Sequence, residues 1–383
     1  MLLGGTRGLL PVIKSAHEHE LYVITCDYLP NNIAHKFSDE YVNIDITDKE
    51  LVLEFALKGN INGIMSFSVD AGVTTAAYVA EKMKLPFPCS YPVAKILQTK
   101  SKFRSFLSDN GFYVPWNKTC SDLESLLENG LNYPLIIKPV DSAGSKGVSK
   151  IDIEAQIHDA FINAKKESHC GSVIIEEYIE PLYTSDSDSF VENGSLNFCT
   201  FSDQLFDKYS VNQFVPAAYV WPSSMPIEYQ QSLKNELQRL MTLLNISSGI
   251  FNIETRIGTN SKAYIMEVTP RGGGNQLAEM IKYATDIDMI DAAVCVAVGD
   301  KYESLHNLEY KRNVAEIILH ANKKVKTQYI PEMINNFKIE KNFWIDRHDE
   351  IQPFKDSGDT YGYAYFCTDN KTNARTLLEE LVF

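Results

Sequence analysis

Two strand-like stretches, Asn245–Ile257 and Lys262–Val268, flank the turn-forming run Gly258–Ser261, and that arrangement favours an antiparallel hairpin. If the turn is centred near Asn260, positions whose numbers add to about 521 face each other, so Glu254 and Glu267 become direct partners on one face. Two carboxylates this close repel unless a cation or a shared proton lies between them. A hard cation such as Mg²⁺ takes oxygen ligands of this kind. Without a metal, the same hairpin reads as a solvated edge whose glutamates pair with Arg256 or Lys262.

The hairpin runs into Thr269-Pro270-Arg271-Gly272-Gly273-Gly274-Asn275. Arginine offers a planar fork suited to a carboxylate or phosphate. The glycines beside it, Gly272 and Gly273 first, remove side chains and leave backbone amides open to a ligand. Upstream, the strand Tyr133–Val140 carries Lys138, and a loop rich in Gly and Ser follows, with Gly144, Ser145, Lys146 and Gly147 at its centre. A lysine so placed can neutralise phosphates while the loop closes over them. The spacing is not that of a P-loop. The apolar strand Ser172–Tyr178 runs into carboxylates; it suits an adenine pocket read by backbone groups at Glu177 and Ile179, and equally a buried sheet strand. Tyr183–Asn193 is Asp- and Ser-rich and reads as a loop or exposed edge. The aromatics of Tyr209–Trp221 suit either a substrate pocket or a core.

The first ninety or so residues alternate short apolar runs, Leu21–Cys26 and Gly63–Phe67, with helical patterns at Lys49–Lys58 and Thr74–Lys84, the sign of a parallel α/β layer. Gly4, Gly5 and Gly8 form GGxxG rather than the dinucleotide GxGxxG, and read as a tight turn or as a rim of the substrate site. Thr99–Asn110 and Asn373–Glu380 are further helical patterns. At 383 residues the chain is long enough for two or three domains. The net charge of −14 disfavours a nucleic-acid partner, and no apolar run reaches membrane-spanning length. The seven cysteines are scattered, odd in number and never in CxxC spacing, which fits a reducing cytoplasm rather than a disulfide framework. The N-terminus reads as the start of a domain, not a signal peptide.

Taken together and in order, these motifs resemble the ATP-grasp superfamily, closest to its carboxylate–amine ligase branch, which includes amino-acid ligases; features are shared with the carbamoyl-phosphate synthase large chain and the biotin carboxylase group. The resemblance implies an N-terminal Rossmann-like parallel-sheet α/β domain at about 1–95 and a two-subdomain ATP-grasp fold at about 96–300. A mobile nucleotide-binding subdomain falls at about 110–185, and a C-terminal α+β portion at about 301–383. By motif, it implies that Arg104 and Lys138 reach the ATP phosphates and that Gly144, Ser145, Lys146 and Gly147 form the mobile loop. Glu176, Glu177 and Ile179 match the adenine hinge, and Glu254 and Glu267 the Mg²⁺ ligands, with Mn²⁺ as an alternative ion. Arg271, with Gly272 and Gly273, matches the substrate site, Arg271 and Lys138 carrying the catalytic roles. Two departures stand out: Thr269 replaces a metal-binding asparagine, and Pro181, Leu182 and Tyr183 replace the ribose contact, leaving Asp186 or Asp188 as candidates. The implied activity activates a small carboxylate as an acylphosphate for attack by an amine. Carboxylation through carboxyphosphate and nucleotide binding without turnover are the alternatives. Partners are then small carboxylates and amines, with no nucleic acid or membrane, and a homodimer is the candidate oligomer.

Overall fold

A computed structural model describes residues 1–124, 130–306, 308–323, 340–343, 350–368, 374–376 and 378–379. Its first four strands, Leu2–Leu3 (β1), Ile24–Cys26 (β2), Glu40–Val42 (β3) and Met65–Ser66 (β4), form a parallel sheet of order β3-β2-β1-β4. β2 and β4 are shorter than the apolar runs that contain them. The two-residue β1 between them offers partners only to Thr25 and Cys26 on one side and to Met65 and Ser66 on the other. Helices Lys49–Gly59 and Val73–Met83 fall where the apolar spacing puts them. The first begins where the Asp48 side chain accepts from the Leu51 amide and ends at Asn60 in the left-handed region (φ 46°). The GGxxG segment is a packed turn: a Cβ on Gly8 would lie 1.9 Å from Ser68 Oγ, so this turn seats the loop after β4, and its glycines do not line the large cavity described below.

The second sheet joins Asn117–Cys120 (β5), Leu135–Pro139 (β6), Ser149–Ile151 (β7) and Val173–Glu177 (β8) in the antiparallel order β5-β8-β6-β7. Helix Ile157–Lys166 covers one face through Ile157, Ala160, Phe161 and Ala164, the spacing of a single helical stripe, against Leu135, Ile137, Val173 and Ile175.

The remaining strands are Pro181–Glu192 (β9), Ser195–Phe198 (β10), Asp203–Phe206 (β11), Pro216–Trp221 (β12), Gly249–Gly258 (β13), Ala263–Thr269 (β14), Asn313–Leu319 (β15), Glu340–Phe343 (β16) and Gly362–Thr368 (β17). They sort into two sheets, β10-β9-β13-β14 and β11-β12-β15-β17-β16. The second of these joins residues from 203–221 with residues from 313–368, so the C-terminal strands complete a sheet begun much earlier in the chain. The helical pattern Asn373–Glu380 lies partly outside the described residues. One core cluster packs Val12 and Ile13 of the first domain with Ala292 and Ala293 of helix Met289–Val298, and it continues to Tyr219 and Trp221 on β12. All seven cysteines are unpaired.

The reading of Tyr183–Asn193 as loop or exposed edge is overturned. β9 is an interior strand between β10 and β13. Its serines supply the reason: Ser185, Ser187 and Ser189 are buried, and their hydroxyls bond the neighbouring segment instead of water. Ser187 Oγ lies 2.5 Å from Thr200 Oγ1 and accepts from Trp221 Nε1 at 3.0 Å. Buried polar groups are tolerated when satisfied in this way. Ser187→Ala should strand the Trp221 N–H and lower stability by about 1–3 kcal/mol, read as a drop in the thermal midpoint. The exposed control Ser195→Ala should stay within about 0.5 kcal/mol of the parent.

Candidate active site

β13 runs between β9 and β14, and the register on both sides aligns acidic side chains. Glu254 pairs directly with Glu267 on β14 and with Asp186 on β9. Three carboxylates therefore stand in a row across adjacent strands, at the wall of a cavity of about 560 Å³. The hairpin geometry expected for Glu254 and Glu267 is present. Arg256 NH2 also donates to Glu254 Oε1 at 3.0 Å, so the expected edge pairing occurs beside it. Asp186, a candidate for the ribose contact, lies in this row. Asn252 Nδ2 donates to its Oδ1 at 2.7 Å and Tyr219 OH to its Oδ2 at 3.1 Å. Burial, then the Glu254 charge, pushes Asp186 up to about 7.

Asn252 faces Thr269 across the β13–β14 pair. An amide thus reaches the cavity from the strand beside the position where the family pattern has its asparagine, while Thr269 itself is fully buried.

Lys138 sits on β6 with its Nζ 2.5 Å from Glu176 Oε2, and Arg104 Nε donates to Glu176 Oε1 at 2.7 Å. Arg104 NH1 donates to the Met266 carbonyl at 2.8 Å, so two of its five N–H groups are engaged at the cavity wall. Burial works against the Glu176 charge, but the Arg104 and Lys138 cations on either side hold its carboxyl down at about 2. Burial lowers the Lys138 ammonium from its ordinary value, with Glu176 opposing that shift. Glu176, one of the three residues matched to the hinge, lines the cavity, and its side chain is the shared anion of two cations. The Glu177 amide donates to the Trp116 carbonyl at 2.8 Å, and Glu177 and Ile179 line the cavity.

The loop after Lys138 spans the cavity. Gly144, Ser145 and Gly147 have φ of 67°, 59° and 67°, in the left-handed region. Ser145 Oγ donates to the Phe214 carbonyl at 2.7 Å, and Asn212 Nδ2 donates to the Ser145 carbonyl at 2.9 Å. These bonds tie the loop to the segment between β11 and β12.

Arg271 is buried and faces the first domain. Its Nε and NH2 donate to Asp70 Oδ1 at 2.9 and 2.6 Å, and its NH1 to the Gly272 carbonyl at 2.8 Å. The expectation of an amide open to a substrate is not met at Gly273, and the space beside Gly272 is filled. A Cβ on Gly272 would lie 2.2 Å from the Phe67 ring, and the Gly273 amide donates to both Asp188 oxygens at 2.8 and 2.9 Å. These glycines let the first domain and Asp188 approach the backbone; Gly274 and Asn275 line the cavity instead. Burial pushes Asp188 up to about 7, against the pull of the Gly273 amide and Arg271.

Asp70, Tyr219 and Asn252 are site residues that motif reading missed. Asp70 lies in the Asp70–Gly72 turn beyond β4, far from any motif. Tyr219 lies within the aromatic segment Tyr209–Trp221, and its ring is core while its hydroxyl reaches Asp186. The Ser/Asp alternation of β9 was the readable signal for Asp186 and Asp188 together, because period two puts both on one face.

Residues 131–279 match the sequence model of the ATP-grasp domain. Human carnosine synthase 1 is 24% identical over 322 residues, covering 75% of this chain and 38% of the carnosine synthase, so the chain spans about two fifths of that relative. The crystal structure of an L-amino acid ligase from Bacillus licheniformis superposes with a TM-score of 0.83 at 18% identity, over 99% of this chain and 96% of that one. The biotin carboxylase domain of Hydrogenobacter thermophilus 2-oxoglutarate carboxylase, solved as a dimer with MgADP and bicarbonate, superposes with a TM-score of 0.73 at 14% identity, over 99% of this chain and 88% of that one. Both likenesses show a shared fold. No helix among the described residues is long and apolar enough to cross a membrane.

Glu176→Gln should destabilise the protein by about 3–5 kcal/mol at pH 7, because it leaves two buried cations facing a neutral amide. The Glu176 carboxyl is held below its ordinary 4.5, so its contribution is fully present above pH 4.5 and is lost as pH falls through about 2. Denaturant melts of parent and variant should therefore differ most near neutrality, and their gap should close as pH falls across that window.

Proposed function

We propose, from the ATP-grasp domain that residues 131–279 form, that this protein uses ATP to activate a small carboxylate and passes the acyl group to an amine. The observation that carries the reading is the convergence on one cavity of the Asp186–Glu254–Glu267 row, Lys138 with its glycine loop, and Arg271. The row fits Mg²⁺, with Mn²⁺ as an alternative. Its donors are all carboxylate oxygens, and Asp186 is held by an amide and a phenol rather than by a cation. Bound there, the metal would supply positive charge to the β and γ phosphates.

Lys138 and the amides of Gly144–Gly147 supply further countercharge and hold the triphosphate in place. The carboxylate attacks the γ-phosphorus, releasing ADP and forming an acylphosphate, which the amine then displaces with loss of phosphate. No protein nucleophile is required. A loop held to Phe214 and Asn212 through Ser145 would limit hydrolysis of the acylphosphate, which supports its role as a cover. Arg271 has five N–H groups and spends three on Asp70 and Gly272, which leaves two for the reacting carboxylate. A homodimer is the proposed assembly.

The test is an ADP-release screen of carboxylic acids crossed with amines, with mass detection of products. ADP release stimulated by bicarbonate without an organic acid would replace this reading with carboxylation. Arg271→Met should keep nucleotide affinity within a few-fold and reduce acid-dependent ADP release by roughly 100-fold, the loss of a transition-state contact worth about 3 kcal/mol. A weakened nucleotide with unchanged turnover at saturating ATP would move Arg271 to the ATP site.

A further inference from the structure

We propose that His19, Asp291 and Cys295 form a binding site for a zinc ion, a structural clip that fastens the first domain to the helix Met289–Val298. None of the three lines the large cavity, so the site is separate from the carboxylate row and stands independently of the ligase reading.

His19 directly follows the helix Leu10–Glu18, and Asp291 and Cys295 lie one turn apart on Met289–Val298, where side chains share a face. Val12, Ile13 and Ala16 of the first helix belong to the same core as Ala292 and Ala293 of the second. Apolar packing therefore sets the backbone positions of the three residues before any ion binds. His19 Nε2 lies 2.6 Å from Asp291 Oδ1 and 3.5 Å from Cys295 Sγ, and one ligand atom from each residue falls within 4.8 Å of the others. Ser15 Oγ donates to the same Asp291 oxygen at 3.2 Å. Cys295 is buried and in no disulfide.

One ring nitrogen serves these two neighbours poorly. With a hydrogen on Nε2 it donates well to only one of them; without it, the lone pair faces a carboxylate. A cation between the three residues removes the conflict, because nitrogen, oxygen and sulfur then all direct electron pairs at it. Ligands about 2.0–2.3 Å from a tetrahedral zinc lie roughly 3.3–3.6 Å from one another. The nitrogen–sulfur separation already has that value. The nitrogen–oxygen contact needs to open by about 0.7 Å to reach it, between side chains that are 34% and 40% exposed.

Imidazole, carboxylate and thiolate together suit Zn²⁺ and not Mg²⁺, which takes oxygen ligands in an octahedron. Lys282, whose charge reaches Asp291, is paired with Asp288 and does not fill the site. Cys295 binds as the thiolate and gives its proton to solvent, and a water takes the fourth position. The ion joins residues 272 and 276 positions apart in the chain.

The test uses the full chain, reduced, stripped of metal with a chelator and held in excess Mg²⁺ so that oxygen-only sites are occupied. Co²⁺ is the spectroscopic probe for the zinc site. Its titration should give a near-ultraviolet thiolate-to-cobalt band and the strong visible bands of a four-coordinate ion, and Zn²⁺ should remove both. Zinc should also raise the thermal midpoint by roughly 2 °C or more. Cys295→Ser should abolish the thiolate band, and His19→Gln should weaken Co²⁺ binding at least about tenfold, a loss of about 1.4 kcal/mol. Cys170→Ser, at an exposed thiol, should change neither. His19 is partly exposed, so its variant decides the matter should Cys295→Ser fail to fold. No thiolate band in the parent, a band that survives Cys295→Ser or follows Cys170, or an affinity unchanged in His19→Gln would overturn the assignment. The His19–Asp291 contact would then be an ion pair beside a buried thiol.

Discussion

The register of β13 between β9 and β14 is the constraint on which the site depends. Phe251, Ile253 and Ile257 point into the core, while Asn252, Glu254 and Arg256 on the alternate face point to the cavity. Slipping either neighbour by one residue would turn its whole set of side chains to the opposite face. Apolar burial on one face therefore fixes the carboxylates on the other. Their mutual repulsion is an electrostatic cost imposed by packing, one that a divalent cation bound there would relieve.

Across the cavity the balance of charge is reversed. Lys138 and Arg104 share one buried anion, Glu176, so this side of the cavity carries an excess cation. Glu176 connects residues far apart in sequence: Arg104 from helix Lys100–Asp109 and Lys138 from β6, with Arg104 continuing to the Met266 carbonyl on β14. The Arg104 guanidinium thus ties the β6–β8 sheet to the β13–β14 hairpin.

The first domain enters the site by close backbone approach. Phe67 lies over Gly272, Ser68 donates its amide to the Gly272 carbonyl at 3.0 Å, and Asp70 reaches Arg271. Three glycines after the hairpin look like a substrate cradle in sequence. Two of them serve a different purpose: Gly272 admits an aromatic ring and Gly273 caps a buried aspartate. The outcome is a cavity whose third wall comes from a domain without a recognisable ligand motif.

Much of the site was legible because local chemistry determined it. The turn at Gly258–Ser261 set the hairpin, period-two counting then paired Glu254 with Glu267, and the strand-plus-loop pattern put Lys138 beside Gly144–Gly147. The helices at Lys49–Gly59 and Lys100–Asp109 followed from apolar spacing and breakers. Tertiary structure alone decided the rest. β9 is an interior strand because the Thr200 hydroxyl and the Trp221 indole meet the Ser187 hydroxyl while the Ser202 hydroxyl donates to the Asp186 carbonyl, partners no local window contains. Glu176 faces inward because two cations from distant elements meet there, and Asp70 belongs to the site only because Gly272 lets its domain dock. Sequence reading sees the spacing of groups along one element; the partner that neutralises a buried charge, or fills the space beside a glycine, arrives from elsewhere in the chain and is fixed only by packing.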